Sequence, residues 1–327
     1  MAETISFVHG RENHRRARSR AHEKNEKKMN ASKSSKQLSA RSDVDAQEAP
    51  APHIVSQLPI AAIRQGNVVS GGRQLPKLRV LFVTEDDPLY VIKFFDVFFS
   101  EFPRDEIEIC SITIDRPFHE PMWKILRRMR GLYDLRGLCC QCLRFINARL
   151  HRRSIKSLAA SMGIAVTRPR SINRPEYIAH VRAIAPDVIV SVAAPEIFNA
   201  ELLAIPRLGC INVHSGRLPT YRGMMPTFWQ MQRGERAVTI TVHRMVEKLD
   251  AGDVLATQAF PIAPVDSLDR VIKAAKCEGA RLVIRVLRDL RTGRTQPKPL
   301  DMSGAEYFSF PKRKDVREFH KTGHRLL

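Results

Sequence analysis

The sequence is short of acidic residues and of long apolar runs. Its 327 residues include 54 Lys and Arg but only 34 Asp and Glu, which gives a formal net charge of +20. No window approaches the run of about 18 apolar residues that an ordinary transmembrane helix needs, so such a helix is excluded. An anionic partner fits the charge: nucleic acid, a phosphorylated metabolite or a membrane surface. The hydrophobic fraction of 43% is sufficient for a folded core.

Cysteines are few, and their spacing does not suit a metal. Six are present, and the pair Cys139 and Cys142 has no second Cys pair or His pair beside it in the sequence. This argues against a zinc site. We expect reduced, mostly buried thiols and a cytoplasmic protein.

The positive charge is not concentrated at the start of the chain. Residues 1–76 contain 13 Lys and Arg against 7 Asp and Glu, so most of the net charge lies in the rest of the chain. Residues 1–76 are polar and charged, which predicts a disordered basic tail. This tail is either an arm for nucleic acid or targeting, or a solvated extension.

A second basic stretch, residues 121–156, is predicted to be a helical insertion. Lys124 to Lys156 holds ten Lys and Arg and one acid, Asp134. Apolar residues recur at helical spacing, among them Ile125, Met129, Leu132 and Leu135. Two interpretations stay open: the insertion contacts an anionic membrane or phosphate-bearing ligand, or its apolar face packs on the core and its arginines are solvated.

From Leu78 onward, predicted strands and helices alternate. Leu78–Thr84 and Asp187–Val192 are apolar runs typical of buried parallel strands, and Cys210–His214 is a third such strand. Ile107–Ile114 alternates as a strand, and Leu268–Leu290 is predicted to be one long helix. The predicted fold class is therefore α/β, with a doubly wound and mainly parallel sheet.

The loop after the first strand has no glycine. It carries Glu85, Asp86 and Asp87 followed by Pro88. Acids repel phosphate and proline lacks an amide donor, so a dinucleotide site of the Rossmann type is not expected there. The acids either attract an ammonium-bearing substrate or belong to a solvated loop at a helix N-terminus.

Asn212 and His214 form the candidate catalytic pair. They are two residues apart on a predicted strand, so their side chains share a face at the carboxyl end, where open α/β sheets bind ligands. An amide can stabilise a developing oxyanion and a histidine can transfer a proton. Asp250 is a candidate to orient the histidine and favour its charged form. From these residues alone, a polar strand end that neighbouring loops satisfy is an equally open interpretation.

Two motifs resemble a known family. Asn212-Val-His214 is followed by Leu218-Pro219-x-Tyr221-Arg222-Gly223, and Leu249-Asp250-x-Gly252-x-Val254-Leu255 comes later. Together they resemble the formyltransferases that use 10-formyltetrahydrofolate, which include the methionyl-tRNA, glycinamide ribonucleotide and sugar N-formyltransferases. The resemblance is strongest over residues 186–262. It implies a catalytic domain over 77–291, with residues 292–327 as a C-terminal extension.

The resemblance also implies roles for individual residues. Asn212 would stabilise the tetrahedral intermediate, His214 would transfer the proton and polarise the formyl group, and Asp250 would hold His214. The pterin of 10-formyltetrahydrofolate would lie between two segments and be recognised largely by backbone groups, and no metal is implied. The residues of these two segments are Val192, Ala193, Ala194, Pro195, Glu247, Lys248 and Leu249. Gly216 and Ala251 depart from the family pattern, which often has Ser and Thr there.

The acceptor is predicted to be a small amine that carries phosphate. An amino sugar on a nucleotide or lipid phosphate fits best, with residues 121–156 facing the phosphates or contacting a membrane. tRNA is disfavoured because residues 292–327 are too few for the C-terminal barrel of methionyl-tRNA formyltransferases. Transfer to tRNA, hydrolysis of the formyl donor, and folate or nucleic-acid binding without catalysis remain the alternatives.

Overall fold

The structure is a computed structural model that describes residues 75–115, 122–151 and 153–327. The predicted basic tail lies outside the described residues, except for its last two positions.

Helices and strands alternate along the described chain. The strands are β1 Leu78–Thr84, β2 Ile107–Ile114, β3 Val166–Thr167, β4 Val188–Val192, β5 Cys210–His214, β6 Arg222–Gly223, β7 Ala237–Arg244, β8 Val254–Pro261 and β9 Tyr307–Phe308. The helices are α1 Val91–Glu101, α2 Met122–Leu132, α3 Leu135–Leu150, α4 Ile155–Ser161, α5 Pro175–Ile184, α6 Ala200–Leu203, α7 Pro226–Gln232, α8 Leu268–Arg291 and α9 Arg313–Lys321.

Seven strands form one sheet in the order β3-β2-β1-β4-β5-β7-β8. The five strands from β3 to β5 are parallel, whereas β7 runs antiparallel to both β5 and β8. Strand order reverses direction between β1 and β4, which is the place where doubly wound sheets bind ligands. The predicted α/β class with a mainly parallel sheet is confirmed.

The apolar runs of the sequence form the core, as their pattern predicts. Phe82 of β1 lies edge-on to Phe98 of α1, with ring centroids 4.9 Å apart. The inner face of α8 packs on the same side of the sheet, and Gly279 lets the helix approach β5, since a Cβ there would lie 3.2 Å from Val213 Cγ1. These contacts fix the carboxyl end of β5 relative to both helices.

The basic stretch forms two helices, α2 and α3, and the single apolar stripe proposed across it does not exist. Helix α2 ends at Leu132. A new helix starts at Leu135, because Asp134 accepts a hydrogen bond from Gly137 N (2.8 Å) and caps its N-terminus. Leu132 is consequently buried, while Leu135, which was predicted to share its face, is 77% exposed.

Helix α3 has its polarity reversed relative to an ordinary surface helix. Its inward residue Gln141 is buried and donates hydrogen bonds to Tyr90 Oη and Tyr133 Oη, both at 2.9 Å. Arg144, also on the inner side, is 2.7 Å from Asp269 Oδ1. The interpretation of an apolar face on the core with solvated arginines therefore holds only in part for α3: Leu138 and Ala148 pack inward beside Gln141, while most of its leucines are exposed.

The C-terminal extension packs on the predicted catalytic domain. Its strand β9 pairs in parallel with β6. Helix α9, which the sequence analysis did not predict, buries Phe319 against Phe228 of α7 with stacked rings 4.9 Å apart. None of the described helices has the length and apolarity needed to cross a bilayer.

The expectation of mostly buried thiols is wrong. Only Cys210 is buried, and Cys139, Cys140 and Cys142 are exposed on α3. Their exposure follows from the orientation of α3, whose side with Gln141 and Arg144 faces the protein.

Candidate active site

The candidate pair stands at the carboxyl end of β5, in the middle of the sheet. Strand β5 pairs with β4 on one side and antiparallel to β7 on the other, with Asn212 opposite His243 and His214 opposite Thr241. Asn212 is partly buried and His214 is 6% exposed. The register of this one strand therefore determines where both side chains lie.

His214 is held between a carbonyl and a carboxylate. Its Nε2 lies 2.6 Å from the backbone oxygen of Tyr221, and its Nδ1 lies 3.8 Å from Asp250 Oδ1. Because the carbonyl can only accept, Nε2 carries the hydrogen and Nδ1 is the nitrogen that exchanges a proton. Burial lowers the pKa of His214 from 6.5, and the nearby Asp250 carboxylate opposes that effect. The resting imidazole is neutral, with its proton-accepting nitrogen facing a negative charge.

Asp250 sits in the loop between β7 and β8 with a left-handed backbone, at φ 48°. Its carboxylate is buried, which alone would raise its pKa. The rings of His243 and His214 in their protonated forms, together with the amide of Gly223, outweigh this burial and lower the pKa of Asp250 to about 2. The group is therefore a stable carboxylate near neutral pH, and aspartate is among the residues that tolerate such a backbone best.

The Tyr221-Arg222-Gly223 segment connects the histidine to the aspartate. Tyr221 supplies the carbonyl for His214, and Gly223 N donates to Asp250 Oδ2 at 2.9 Å. Arg222, between them, donates from Nη2 to the Leu249 carbonyl at 2.5 Å. One short segment thus fixes both ends of the His214–Asp250 pair, which gives a physical reason for its place in the motif.

Gly223 is the tightest point of this connection. Its φ is +95°, and a Cβ there would lie 2.3 Å from the Phe308 carbonyl of β9. The extension strand β9 therefore presses on the segment that holds Asp250. Gly216 is similarly enclosed, since a Cβ would lie 2.8 Å from His214 Nε2. This packing accounts for glycine where the family pattern often has serine.

His243 belongs to the cluster, and the sequence analysis missed it. Its Nδ1 lies 2.8 Å from the Arg244 carbonyl, so Nδ1 carries the hydrogen and Nε2 is left as an acceptor. Nε2 lies 3.2 Å from Asn212 Nδ2 and 3.6 Å from Asp250 Oδ1. The ring thereby accepts a hydrogen bond from the Asn212 amide and fixes its orientation. The alternation of β7 contained this histidine, but only the antiparallel register with β5 brings it opposite Asn212.

The residues predicted to bind the pterin lie in two neighbouring regions. Val192 is fully buried, and residues 193–195 are partly buried after the end of β4. Residues 247–249 are exposed in the loop that leads to Asp250. Ala194 and Met245, which flank these regions, pack against one apolar cluster that also contains Cys210. The side chains of Ile197, Val246 and Leu249 are exposed there, with 62%, 46% and 39% of their surface accessible.

The three acids after β1 have different environments. Asp87 accepts from Leu89 N at the start of α1, and Asp86 pairs with Arg149 and Arg168 at 3.3 and 3.1 Å. Glu85 remains, and burial, followed by repulsion from Asp87, raises its pKa to about 7 despite the opposing charge of Lys276. Burial lowers the pKa of Lys276 on α8 in turn. Two of the acids are structural, and the charge of Lys276 on α8 influences the pKa of both Glu85 and His214.

Part of the chain is similar to proteins of a known family. Residues 147–287 match the family model described as "Formyl transferase". This part of the chain belongs to the formyl transferase family. It contains Asn212, His214, His243 and Asp250 together with the segment that joins them.

Curated relatives of this formyl transferase region are methionyl-tRNA formyltransferases. The enzyme of Thermotoga maritima is 32% identical over 162 residues, which cover 50% of this chain and 52% of that protein. That of Synechococcus sp. is 34% identical over 203 residues, which cover 61% and 63%. That of Trichlorobacter lovleyi is 37% identical over 159 residues, which cover 49% and 50%. The chain thus spans between about half and under two thirds of the length of these relatives.

Solved structures of formyltransferases also superpose on the chain. A sugar N-formyltransferase from Shewanella matches with a TM-score of 0.47 and 19% identity, covering 75% of this chain and 87% of that chain. Glycinamide ribonucleotide transformylase 1 from Symbiobacterium toebii matches with a TM-score of 0.49 and 15% identity, covering 69% and 95%.

Proposed function

We propose that the protein transfers a formyl group from 10-formyltetrahydrofolate to an amine. The observation that carries the proposal is the pairing of buried His214 and Asp250 beside the partly buried Asn212 at the end of β5, inside the region that belongs to the formyl transferase family. A structural role alone does not require a buried histidine with its free nitrogen aimed at a carboxylate. The same arrangement is suited to proton transfer near neutral pH.

The chain's own residues account for the charges that the reaction moves. The folate supplies the formyl carbon; the amine nitrogen bonds to that carbon as the bond to the folate nitrogen breaks. Asn212 donates from Nδ2 to the formyl oxygen as negative charge develops there, and His243 keeps this amide in position. His214 Nδ1 takes the proton that the amine loses and returns it to the departing nitrogen. Asp250 stabilises the imidazolium in the interval.

The donor is proposed to bind between the end of β4 and the loop 247–249. Ile197, Val246 and Leu249 present apolar side chains to solvent in these two segments, which suits contact with the rings of a pterin and its attached aryl group. Arg222 holds the loop through the Leu249 carbonyl, so the loop that would contact the pterin also carries Asp250. Binding of the donor and alignment of His214 are thereby coupled through adjacent residues.

The acceptor is proposed to be an amino sugar on a nucleotide or a lipid phosphate. Opposite charges, Glu85 and Lys276, lie near the candidate site on the side of α8 and could receive an amine and an anionic substituent. Basic helix α3 contacts the same edge of the sheet, because Arg149 binds Asp86 just beyond β1. The names of the curated relatives favour methionyl-tRNA as the second candidate acceptor.

The test is the release of tetrahydrofolate from 10-formyltetrahydrofolate, measured with nucleotide-linked amino sugars, with methionyl-tRNA and with no amine. We expect release that depends on an amino sugar and that Asn212→Ala and His214→Ala abolish while donor binding persists. Turnover with methionyl-tRNA but not with amino sugars would overturn the proposal that the acceptor is an amino sugar. Release that no amine stimulates would identify a hydrolase, and absence of any release would leave a folate-binding protein.

A further inference from the structure

The outer face of α3 is apolar along its whole length, which is unusual for a helix on a protein surface. The residues of this face, named here the outer stripe, recur every three or four positions. They are Leu135, Cys139, Cys142, Leu143, Ile146 and Leu150. Leu135, Leu143 and Leu150 are 77%, 66% and 76% exposed, and Ile146 is 54% exposed. A contiguous exposed apolar surface marks an interaction site rather than chance exposure of single residues.

Helix α2, which precedes the outer stripe along the chain, has exposed side chains of a different composition. Trp123, Leu126, Arg127 and Arg130 are exposed and lie at helical spacing on one side of α2. Apolar and cationic side chains therefore share one face. Arg136, at the edge of the outer stripe, is also exposed.

The charge around the outer stripe has one sign. Between residues 122 and 156 there are ten Lys and Arg, and Asp134 is the only acid. Arg144, Arg149 and Arg153 pair with Asp269, Asp86 and Asp96 of other elements, whereas Arg127, Arg130 and Arg136 are exposed. The carboxylate of Asp134 accepts from Gly137 N, so it is engaged in capping α3. An apolar stripe rimmed by cations is complementary to a bilayer with anionic headgroups, where a helix lies in the plane of the interface.

We propose that α2 and α3 dock the protein on an anionic lipid surface through the outer stripe and the arginines beside it. A second copy of the chain is a poorer occupant, since two such faces would oppose cations without acids to pair them. Nucleic acid is also poorer, because its binding rests on contacts between cations and phosphates, whereas the uncharged outer stripe occupies α3 along its length. With 16 residues, α3 is about 24 Å long, which suits an interfacial helix.

The proposed contact would bring the carboxyl edge of the sheet towards the membrane. Three inward contacts of α3 reach that edge: Gln141 to Tyr90 before α1, Arg144 to Asp269 at the start of α8, and Arg149 to Asp86 after β1. An acceptor carried on a lipid phosphate would then reach the candidate site from the bilayer. This last step rests on the proposed function, whereas lipid binding itself does not.

The experiment is co-sedimentation of the full chain with vesicles of phosphatidylcholine, alone or mixed with phosphatidylglycerol. We expect binding to the mixed vesicles that weakens with added salt, and little binding to phosphatidylcholine alone. Leu143→Asp and Ile146→Asp should each reduce binding about tenfold or more, because they place a charge in the acyl region. The matched control is Val265→Asp, since Val265 is 75% exposed but lies elsewhere. It should bind like the unaltered chain.

Charge and insertion can be tested separately. Arg136→Glu should weaken binding more than Arg317→Glu, which makes the same charge change at an exposed position of α9. Trp123 is 58% exposed and the other tryptophan, Trp229, is 9% exposed, so insertion should shift tryptophan emission to the blue unless Trp123→Phe is present.

Three outcomes would overturn the proposal. One is equal binding of the unaltered chain and Leu143→Asp to the mixed vesicles. Another is an absence of vesicle binding together with a dimer in analytical ultracentrifugation that Leu143→Asp dissociates. The third is an absence of vesicle binding together with tight binding of mixed tRNA that Arg136→Glu removes and Leu143→Asp does not. Formyl transfer to a water-soluble amine is measured in parallel, so that failure of lipid docking is distinguished from failure of the proposed function.

Discussion

The end of β5 and the outer face of α3 break the usual rule of burial in opposite directions. At the end of β5, His214, His243 and Asp250 are buried polar groups, and each finds a partner among the others or in a backbone carbonyl or amide. On α3, Leu135, Leu143 and Leu150 are apolar and exposed. Buried polar groups are unfavourable unless they are satisfied, and exposed apolar stripes remain unfavourable until something covers them. The polar groups of the first region are satisfied within the chain, whereas the second region is proposed to be covered by a lipid surface.

The largest expected effect is a loss of formyl-transfer activity that occurs on substitution at the end of β5 but not on substitution in α3. Asn212→Ala and His214→Ala should each lower kcat/KM for formyl transfer by about a thousandfold, since one removes an oxyanion donor and the other the proton carrier. Leu143→Ala should leave transfer to a water-soluble amine unchanged. Steady-state release of tetrahydrofolate measures all three. Equal losses in the three variants would mean that the two regions do not differ as described.

Shortening a leucine should destabilise the protein less on α3 than on α8, because the apolar face of α8 is buried. Leu287 of α8 is fully buried, so Leu287→Ala should lower the free energy of unfolding by about 2–5 kcal/mol. Leu143→Ala should change it by no more than about 0.5 kcal/mol, because an exposed side chain forms few contacts. Urea denaturation of both variants gives the comparison. A large loss for Leu143→Ala would show that the outer stripe packs against the protein itself.

The sequence allowed more of the first region to be predicted than of the second. β1, β2 and β5 were predicted at their observed ends, because continuous or alternating apolar residues have few ways to be buried. Asn212 and His214 could be found since they lie on one strand. His243 could not, because it reaches Asn212 only through the pairing of β7 with β5. The orientation of α3 was mispredicted because apolar spacing does not tell which side of a helix faces the protein, and here Gln141 and Arg144 have their partners inside.

The connection between β9 and the site provides a smaller effect. Gly223→Ala should cost about 1–3 kcal/mol of stability, because alanine at a φ of +95° is strained and its Cβ would meet Phe308. It should also lower kcat, because Gly223 N holds Asp250. Gly163→Ala is the matched control: its φ is +69°, but a Cβ there would meet nothing within 4 Å. An equal loss of activity in both variants would contradict a role for Gly223 in the site.

His243 should have an effect on rate of about tenfold, typical of a residue that orients a functional group. His243→Leu removes the acceptor for the Asn212 amide and should lower kcat with little change in the KM for the amine. His243→Gln, which can accept the same hydrogen bond, should restore most of the rate. Failure of glutamine to restore it, with both variants folded, would argue against orientation of Asn212 as the role.

The smallest effect is on the pH profile. The pKa of His214 lies below 6.5, so the rate should fall only when the pH drops through that lowered pKa and Nδ1 becomes protonated. Asp250→Asn removes the charge that favours the cation, so the acid limb should move to still lower pH while the plateau rate drops. The pH dependence of kcat/KM measures both. A shift of the acid limb to higher pH in Asp250→Asn would contradict the pairing of Asp250 with His214.

Single-turnover transfer of an isotopically labelled formyl group from 10-formyltetrahydrofolate tests the central claim most directly. The distribution of the label is measured between a nucleotide-linked amino sugar, formate and unreacted donor. The unaltered chain is predicted to place the label on the amine, and His214→Ala is predicted to leave it on the donor. Label in formate alone, or equal transfer by the two proteins, would contradict formyl transfer by the buried cluster at the end of β5.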